Sequence, residues 1–277
     1  MNALNSIITA ITDAFFSLWA GGPAWAPLVV VSALAGLVAA VVFRFTSRQD
    51  VLRRDAELIQ AQLLAMKLFR DDLGTMCGSL GRLLRYTVLR LWHSLPPVLV
   101  MGVPFMLLLV QLARWYEHAP LVPGDQALVM LQLSKDDWSA TKTLALEQSA
   151  EFVVETPSLR DPEEHALYWR IGITHPRPAA LRWKLPRQKI EKRIAVASNR
   201  QQLVAVDARR PGPGWTDRLL HPGEAAFEAS DMIRGIDVQY PRQSTPLLGL
   251  DLPWWAAFLI ISVLAAVLGG RVMRVQF

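Results

Sequence analysis

Three apolar runs set the limits on what this chain can fold into: Ala26–Phe43, Val98–Leu112 and Leu252–Gly270. Crossing a hydrocarbon core ~30 Å thick takes ~20 apolar residues of helix. The first and third runs contain no Asp, Glu, Lys or Arg. The second, taken with its flanks as Pro96–Trp115, contains only Arg114, near its end. Three transmembrane helices are therefore expected, at 24–43, 96–116 and 252–270. The 52% hydrophobic content and mean hydropathy of +0.25 reflect these runs more than a large soluble core.

Basic residues orient the spans, because short cytoplasmic loops are enriched in Lys and Arg. None precedes Arg44, and Asp13 is the only charge in the first 43 residues. Segment 44–95 then carries nine: Arg44, Arg48, Arg53, Arg54, Lys67, Arg70, Arg82, Arg85 and Arg90. Arg271 and Arg274 follow the last span. The rule places 44–95 and the tail 271–277 in the cytoplasm, and the N-terminus and 120–250 outside. Trp25, Trp115 with Tyr116, and Trp254 with Trp255 would mark the outer ends of the spans. Arg44, Arg48, Arg114, Arg271 and Arg274 are then candidates for contact with lipid headgroups, Arg114 by snorkelling. Attraction to anionic lipid also explains the pI near 9.6 without invoking nucleic acid. The single cysteine, Cys77, falls in the cytoplasmic segment, so no disulfide framework is available outside.

Between the spans the patterns differ. Residues 1–22 read as an amphipathic interfacial helix, with Leu4, Ile7, Ile8, Ile11, Phe15 and Leu18 on one stripe and Asn5, Thr9, Thr12 and Asp13 off it. A signal peptide is not expected, since the positive n-region is missing. In the first span, Gly36 among Ala33, Ala35, Ala39 and Ala40 would let a neighbouring helix approach closely. Residues 44–95 read as a coiled-coil hairpin. Leu52, Ala56, Ile59, Leu63 and Met66 form one seam, and Met76, Leu80, Leu84, Val88, Leu91 and Leu95 the other. Asp71–Asp72–Leu73–Gly74 is its turn, with Asp72 as helix cap. Pro104 should kink or break the second span, and the embedded amide of Gln111 needs a partner on another helix or in a wet cavity.

From Gln126 the period becomes two. Ala127–Leu133, Glu151–Glu155, Leu167–Thr174, Ala180–Leu185, Ile190–Val196, Leu203–Val206 and Ile236–Tyr240 read as strands separated by turn residues, with a short helix at Gly214–Leu220. The fold class expected is an α+β membrane protein: three transmembrane helices, a cytoplasmic helical hairpin, and an extracytoplasmic antiparallel β-sandwich of immunoglobulin type.

No phosphate loop, zinc-protease motif, nucleophile elbow or cysteine pair occurs, so no enzyme, cofactor or metal is expected. Glu163–Glu164–His165 and Asp136–Asp137 read as turns. Lys184, Arg187, Lys189, Lys192 and Arg193 read as a solvated basic face, with a lipid or acidic partner as the alternative.

An outside N-terminus, one span, the basic hairpin Arg44–Leu95 and two further spans ending inside resemble the three-span members of the Oxa/YidC-type insertase superfamily. The resemblance is architectural. It implies assistance in membrane-protein insertion, with hydrophobic segments of client proteins as partners. By position, Ser32, Gln111 and Ser262 would line a polar groove, and Met66 and Met76 would contact clients. The chain departs from that pattern in the long segment from Glu117 to Asp251. The other reading is a non-enzymatic anchored scaffold or accessory subunit, whose β-sandwich binds another envelope protein.

Overall fold

The computed structural model describes residues 2–19, 22–46, 49–68, 73–136, 138, 144–184, 189–247 and 250–273. The expected turn and cap at Asp71–Asp72 lie outside these residues, as do Arg48, Arg70, Arg274, Arg187 and Asp137. The chain divides into two compact units, one formed by 1–27 with 108–254 and the other by 28–107 with 255–277.

Three helices are long and apolar enough to cross a membrane: Trp25–Thr46, Val98–Tyr116 and Trp254–Val272. In chain order the helices are α1 (Asn2–Ser17), α2 (Trp25–Thr46), α3 (Gln49–Leu68), α4 (Leu73–Tyr116), α5 (Trp215–Leu220) and α6 (Trp254–Val272). The second candidate span is thus the end of a 44-residue helix. Pro96, Pro97 and Pro104 do not interrupt its helical assignment, although each removes a backbone donor.

In the first unit, β1 (Gln126–Leu133) is the centre of an antiparallel sheet. It pairs on one side with β4 (Ala166–Ile173), in register from Gln126 opposite Gly172 to Gln132 opposite Ala166. On its other side is β8 (Ile233–Val238), with a register shift at Gln132/Leu133. The outer edge of β4 is shared by β2 (Phe152–Val154) and β3 (Leu159–Asp161), and β7 (Arg209–Arg210) closes the edge beyond β8. A ribbon of β5 (Ala179–Lys184) and β6 (Lys189–Ile194) contributes to the same core. A small hairpin pairs β9 (Thr245–Leu247) with β10 (Leu250–Leu252).

Period-two alternation produces this core, because every second residue of β1 and β4 faces one side. Val129, Leu131, Leu167 and Ile171 are fully buried there with Leu181, Trp183 and Ile190 of the ribbon. Trp169 and Trp183 meet with ring centroids 5.9 Å apart. The antiparallel strands are largely those expected, but the short strands β3 and β7 are additional, and three further differences occur. Leu203–Val206 is not a strand, because the backbone donor of Val206 goes to the carbonyl of Arg114 at 2.7 Å. The last long strand begins at Ile233, three residues before the expected start. β9 and β10 form a hairpin between the last long strand and α6, where no strand was expected.

In the second unit, α2 and α6 approach closely. A Cβ added to Gly36 would run into the carbonyl of Ser262 and lie 2.9 Å from Cβ of Ala265. One added to Gly269 would lie 2.7 Å from Leu37. Small residues thus permit the contact, the device by which helices associate in lipid. The two contacts advance together along both helices, so α2 and α6 run parallel, each with its arginine, Arg44 or Arg271, in the last turn.

The hairpin differs from expectation in the face it turns inward. The expected seam residues Leu80, Leu84, Val88, Leu91 and Leu95 are between 42% and 63% exposed. The less exposed positions of α4 are Met76, Ser79, Leu83, Tyr86, Arg90 and His93, which also follow heptad spacing. On α3 they include Asp55, Ile59, Gln62 and Met66, whereas Leu63, Leu64 and Leu68 face outward. A polar contact explains part of the rotation. Asp55 is buried and its carboxylate meets His93 Nδ1 at 2.8 Å, which requires both residues to lie inside.

Candidate functional site

The most concentrated polar chemistry lies in the first unit, around the last two turns of α4. Gln111, Arg114, Trp115 and Tyr116 are all buried there. Helix α1 covers them with its polar edge. Gln111 Nε2 donates to Thr9 Oγ1 at 3.1 Å, and Thr12 Oγ1 donates to Gln111 Oε1 at 3.2 Å. Phe16 stacks on Trp115 with centroids 4.6 Å apart, and the Tyr116 hydroxyl donates to the Ala24 carbonyl at 2.8 Å. On the opposite edge of α1, Ile7, Ile11 and Leu18 are exposed. A helix with polar residues inward and an apolar stripe outward suits surroundings more apolar than water.

Arg114 is the hub. Its side chain is 8% exposed and forks onto Asp207, with Nε to Oδ1 at 2.6 Å and Nη2 to Oδ2 at 3.1 Å. Nη1 donates to Asp13 Oδ1 at 3.2 Å and to Gln111 Oε1 at 3.3 Å. A two-toothed guanidinium–carboxylate pair is among the strongest charged contacts available to a protein. Burial, which outweighs the pull of Arg114 and is reinforced by the nearby charge of Asp207, raises the carboxyl of Asp13 above its ordinary value. The expected snorkelling of Arg114 to headgroups is replaced by this network, and the aromatic belt expected at Trp115 and Tyr116 is replaced by packing under α1. Both corrections share one cause, since α1 occupies the place assumed for lipid.

Asp207 joins this network to a second buried cation. Its carbonyl accepts from Nζ of Lys192, which is 0% exposed and also lies 3.3 Å from Glu224 Oε1. Burial pushes the Lys192 amine down and the Glu224 carboxyl up, each against the attraction of the other. Gly223 sits so close to Asp207 that a Cβ there would run into the carboxylate. Nearby, Arg209 bridges Asp217 at 2.9 Å and Asp237 at 2.8 Å, and His221 Nδ1 lies 3.1 Å from Asp217.

No family model, curated protein or solved structure matches the chain. The geometry therefore carries the functional argument alone.

The other residues singled out from sequence are separated. Ser32 is fully buried and donates to Leu28 O at 2.6 Å. Ser262 donates to Leu259 O at 3.0 Å. Each hydroxyl thus donates within its own helix, and Gln111 bonds to the threonines of α1. Met66 and Met76 are half-buried, and Arg44 and Arg271 are exposed. Glu163, Glu164 and His165 form a turn, with His165 at φ 53° and Glu164 accepting from the Tyr168 hydroxyl. Among the described residues no group of three His, Cys, Asp or Glu could hold a metal ion.

Sequence reasoning missed Asp13, Asp207, Lys192 and Glu224. Two of them carried a signal. Asp13 is a solitary acid in an apolar region, which calls for a cation. Lys192 lies between Ile190 and Ile194, so alternation puts it on the core face rather than on a solvated one. Arg193, on the other face, is exposed as expected.

Proposed function

We propose that this is an integral membrane protein of the bacterial inner membrane that works as a non-enzymatic anchored scaffold. Its spans present the β-domain outside the membrane to another envelope protein. In this reading the β-domain is an immunoglobulin-like binding module, the N-terminus is extracytoplasmic, and α3 with the first half of α4 lies in the cytoplasm. One observation carries the reading: the Arg114–Asp207 fork, capped by α1, fixes the β-domain to the end of a candidate span. A charge-paired link of that kind suits a module that is presented to a partner. The hydrogen bonds of Ser32 and Ser262 within their own helices, and of Gln111 with α1, favour this reading over a client-receiving groove.

The test uses the full chain with photocrosslinkers at exposed apolar positions of the β-domain, Val153, Leu159 and Trp215. A discrete extracytoplasmic adduct is expected, and loss of every adduct would remove the reading. Topology is read separately at Cys77, which is exposed. An impermeant thiol reagent should leave it unlabelled in intact cells.

A second reading, insertase-like assistance to membrane-protein assembly, is favoured by the exposed stripe Leu80, Leu84, Val88, Leu91 and Leu95. Crosslinkers at Leu84, Leu91 and Met66 should capture nascent apolar segments if that reading is right.

A further inference from the structure

A cavity of about 510 Å³ in the first unit opens beside the start of α2. Pro23, Ala24, Trp25 and Ala119 give it an apolar wall, while Gln201, Gln243 and Ser244 supply neutral polar groups. Its charged lining is entirely basic, consisting of Arg200 and Arg242. The two arginines differ. Arg200 is held by Asp125, whose carboxylate is not part of the lining. Arg242 has no acidic partner or side-chain hydrogen bond among the described residues, and its side chain is exposed. Its backbone, in contrast, is fixed. It bridges His118 in an antiparallel pair, and the next residue, Gln243, donates from its backbone to Glu117 O at 3.1 Å. With its side-chain amide turned so that the nitrogen faces the two carbonyls, Gln243 also donates to His118 O at 3.1 Å and Trp115 O at 3.2 Å. The fold thus fixes the backbone of a cation and, among the described residues, provides no anion for its side chain.

We infer that this cavity binds a phosphate-bearing headgroup, with the phosphate on Arg242 and Arg200 and the apolar part of the ligand along Trp25. Arginine suits a phosphate because its planar fork can donate two parallel bonds. Trp25 is the first residue of a candidate span and is half exposed, the position at which tryptophan sits among headgroups. The same phosphate chemistry could come from an anionic phospholipid or from a soluble phosphate ester. The lipid source rests on α2 crossing the membrane, as in the proposed function, whereas the soluble source does not.

The test is native mass spectrometry of the full-length protein released from neutral detergent. It is titrated with dioleoyl phosphatidylglycerol, with dioleoyl phosphatidylcholine and with glycerol 3-phosphate. The expected result is retention of phosphatidylglycerol over phosphatidylcholine. Arg242→Ala should lower that retention about fivefold, the effect of one basic residue at a lipid surface. Arg242→Lys should keep part of it. Arg177→Ala, which removes an exposed charge elsewhere in the β-domain, should change nothing. Trp25→Ala should weaken the lipid and leave glycerol 3-phosphate unaffected. Binding of glycerol 3-phosphate alone, lost in Arg242→Ala, also supports the site and names the soluble source. Equal losses in Arg242→Ala and Arg177→Ala would overturn the inference, as would no retention of either phosphate probe. A protein that stays in solution without detergent yet binds glycerol 3-phosphate would defeat the anchored reading and leave this site standing. Thermal melting of each variant shows that the fold is retained.

Discussion

The two ends of α4 obey opposite rules. Toward its C-terminus, polar and charged side chains turn inward, with Gln111 partnered by two threonines and Arg114 by two carboxylates, although the buried Trp115 Nε1 meets no acceptor among the described residues. Through its first half, the leucines turn outward and the face toward α3 carries Ser79, Arg90 and His93. Near the C-terminus, burial was possible because α1 and the segment at Asp207 bring the complementary groups. The fork there offsets the cost of taking a guanidinium out of water. In the first half of the helix, one buried acid, Asp55, selects the histidine-bearing face and leaves the apolar stripe uncovered. Polarity alone therefore does not decide which face of a helix is inside; the available partner does.

The largest expected effect comes from breaking the well-partnered end. Asp207→Ala leaves Arg114 buried beside Asp13 only, and should destabilise the β-domain by about 3–5 kcal/mol, the cost of orphaning one member of a buried pair. Replacing both, as Arg114→Met with Asp207→Leu, should recover most of the loss. Thermal melting and limited proteolysis read both variants. Equal damage from the single and double replacements would mean that the network contributes something other than charge pairing.

Next comes the close contact in the second unit. Gly36→Val forces a side chain against the Ser262 carbonyl and should cost about 1–3 kcal/mol, measured by melting in detergent. Gly81→Ala, where a Cβ meets nothing within 4 Å, should leave melting unchanged or slightly raised.

A smaller effect should appear just past the end of α4, at His118. Burial, with a contribution from Arg242 and against the pull of Glu117, holds its imidazole below the ordinary 6.5. The unfolded chain then takes up the proton at higher pH than the folded one. Stability should fall as pH drops from 6.5 toward the folded value and should be flat above it. His118→Gln should remove that part of the slope in melts recorded from pH 7.5 to pH 5.

The smallest effect belongs to the exposed stripe. Leu84→Gln and Leu91→Gln remove no internal contact and should each change melting by no more than about 0.5 kcal/mol. A larger loss in membranes than in detergent would show that something in the membrane covers the stripe, and would narrow the contrast between the ends.

Most of the architecture was legible because its signals are local. Span length, period-two strands and turn residues depend on neighbours in the sequence, and they located the apolar helices, the antiparallel strands and the short helix at Trp215. The small-residue contact at Gly36 was legible too, though not that its partner is α6. What was hidden depends on pairing across the chain. Nothing near Arg114 announces Asp207, so snorkelling was the reasonable expectation. The hairpin seam was misplaced because its leucines fit a heptad as well as the face that is buried, and only the Asp55–His93 pair separates the two.

The parallel contact of α2 with α6 has a consequence for biogenesis. The flat side of α2 at Gly36 has to wait until the last helix is made, after the whole β-domain has been translated. During that interval the Gly36 face of α2 lacks the partner it has in the finished fold. A translation arrest before Trp254 should therefore leave α2 free to pair with a foreign helix, and the completed chain should displace that partner.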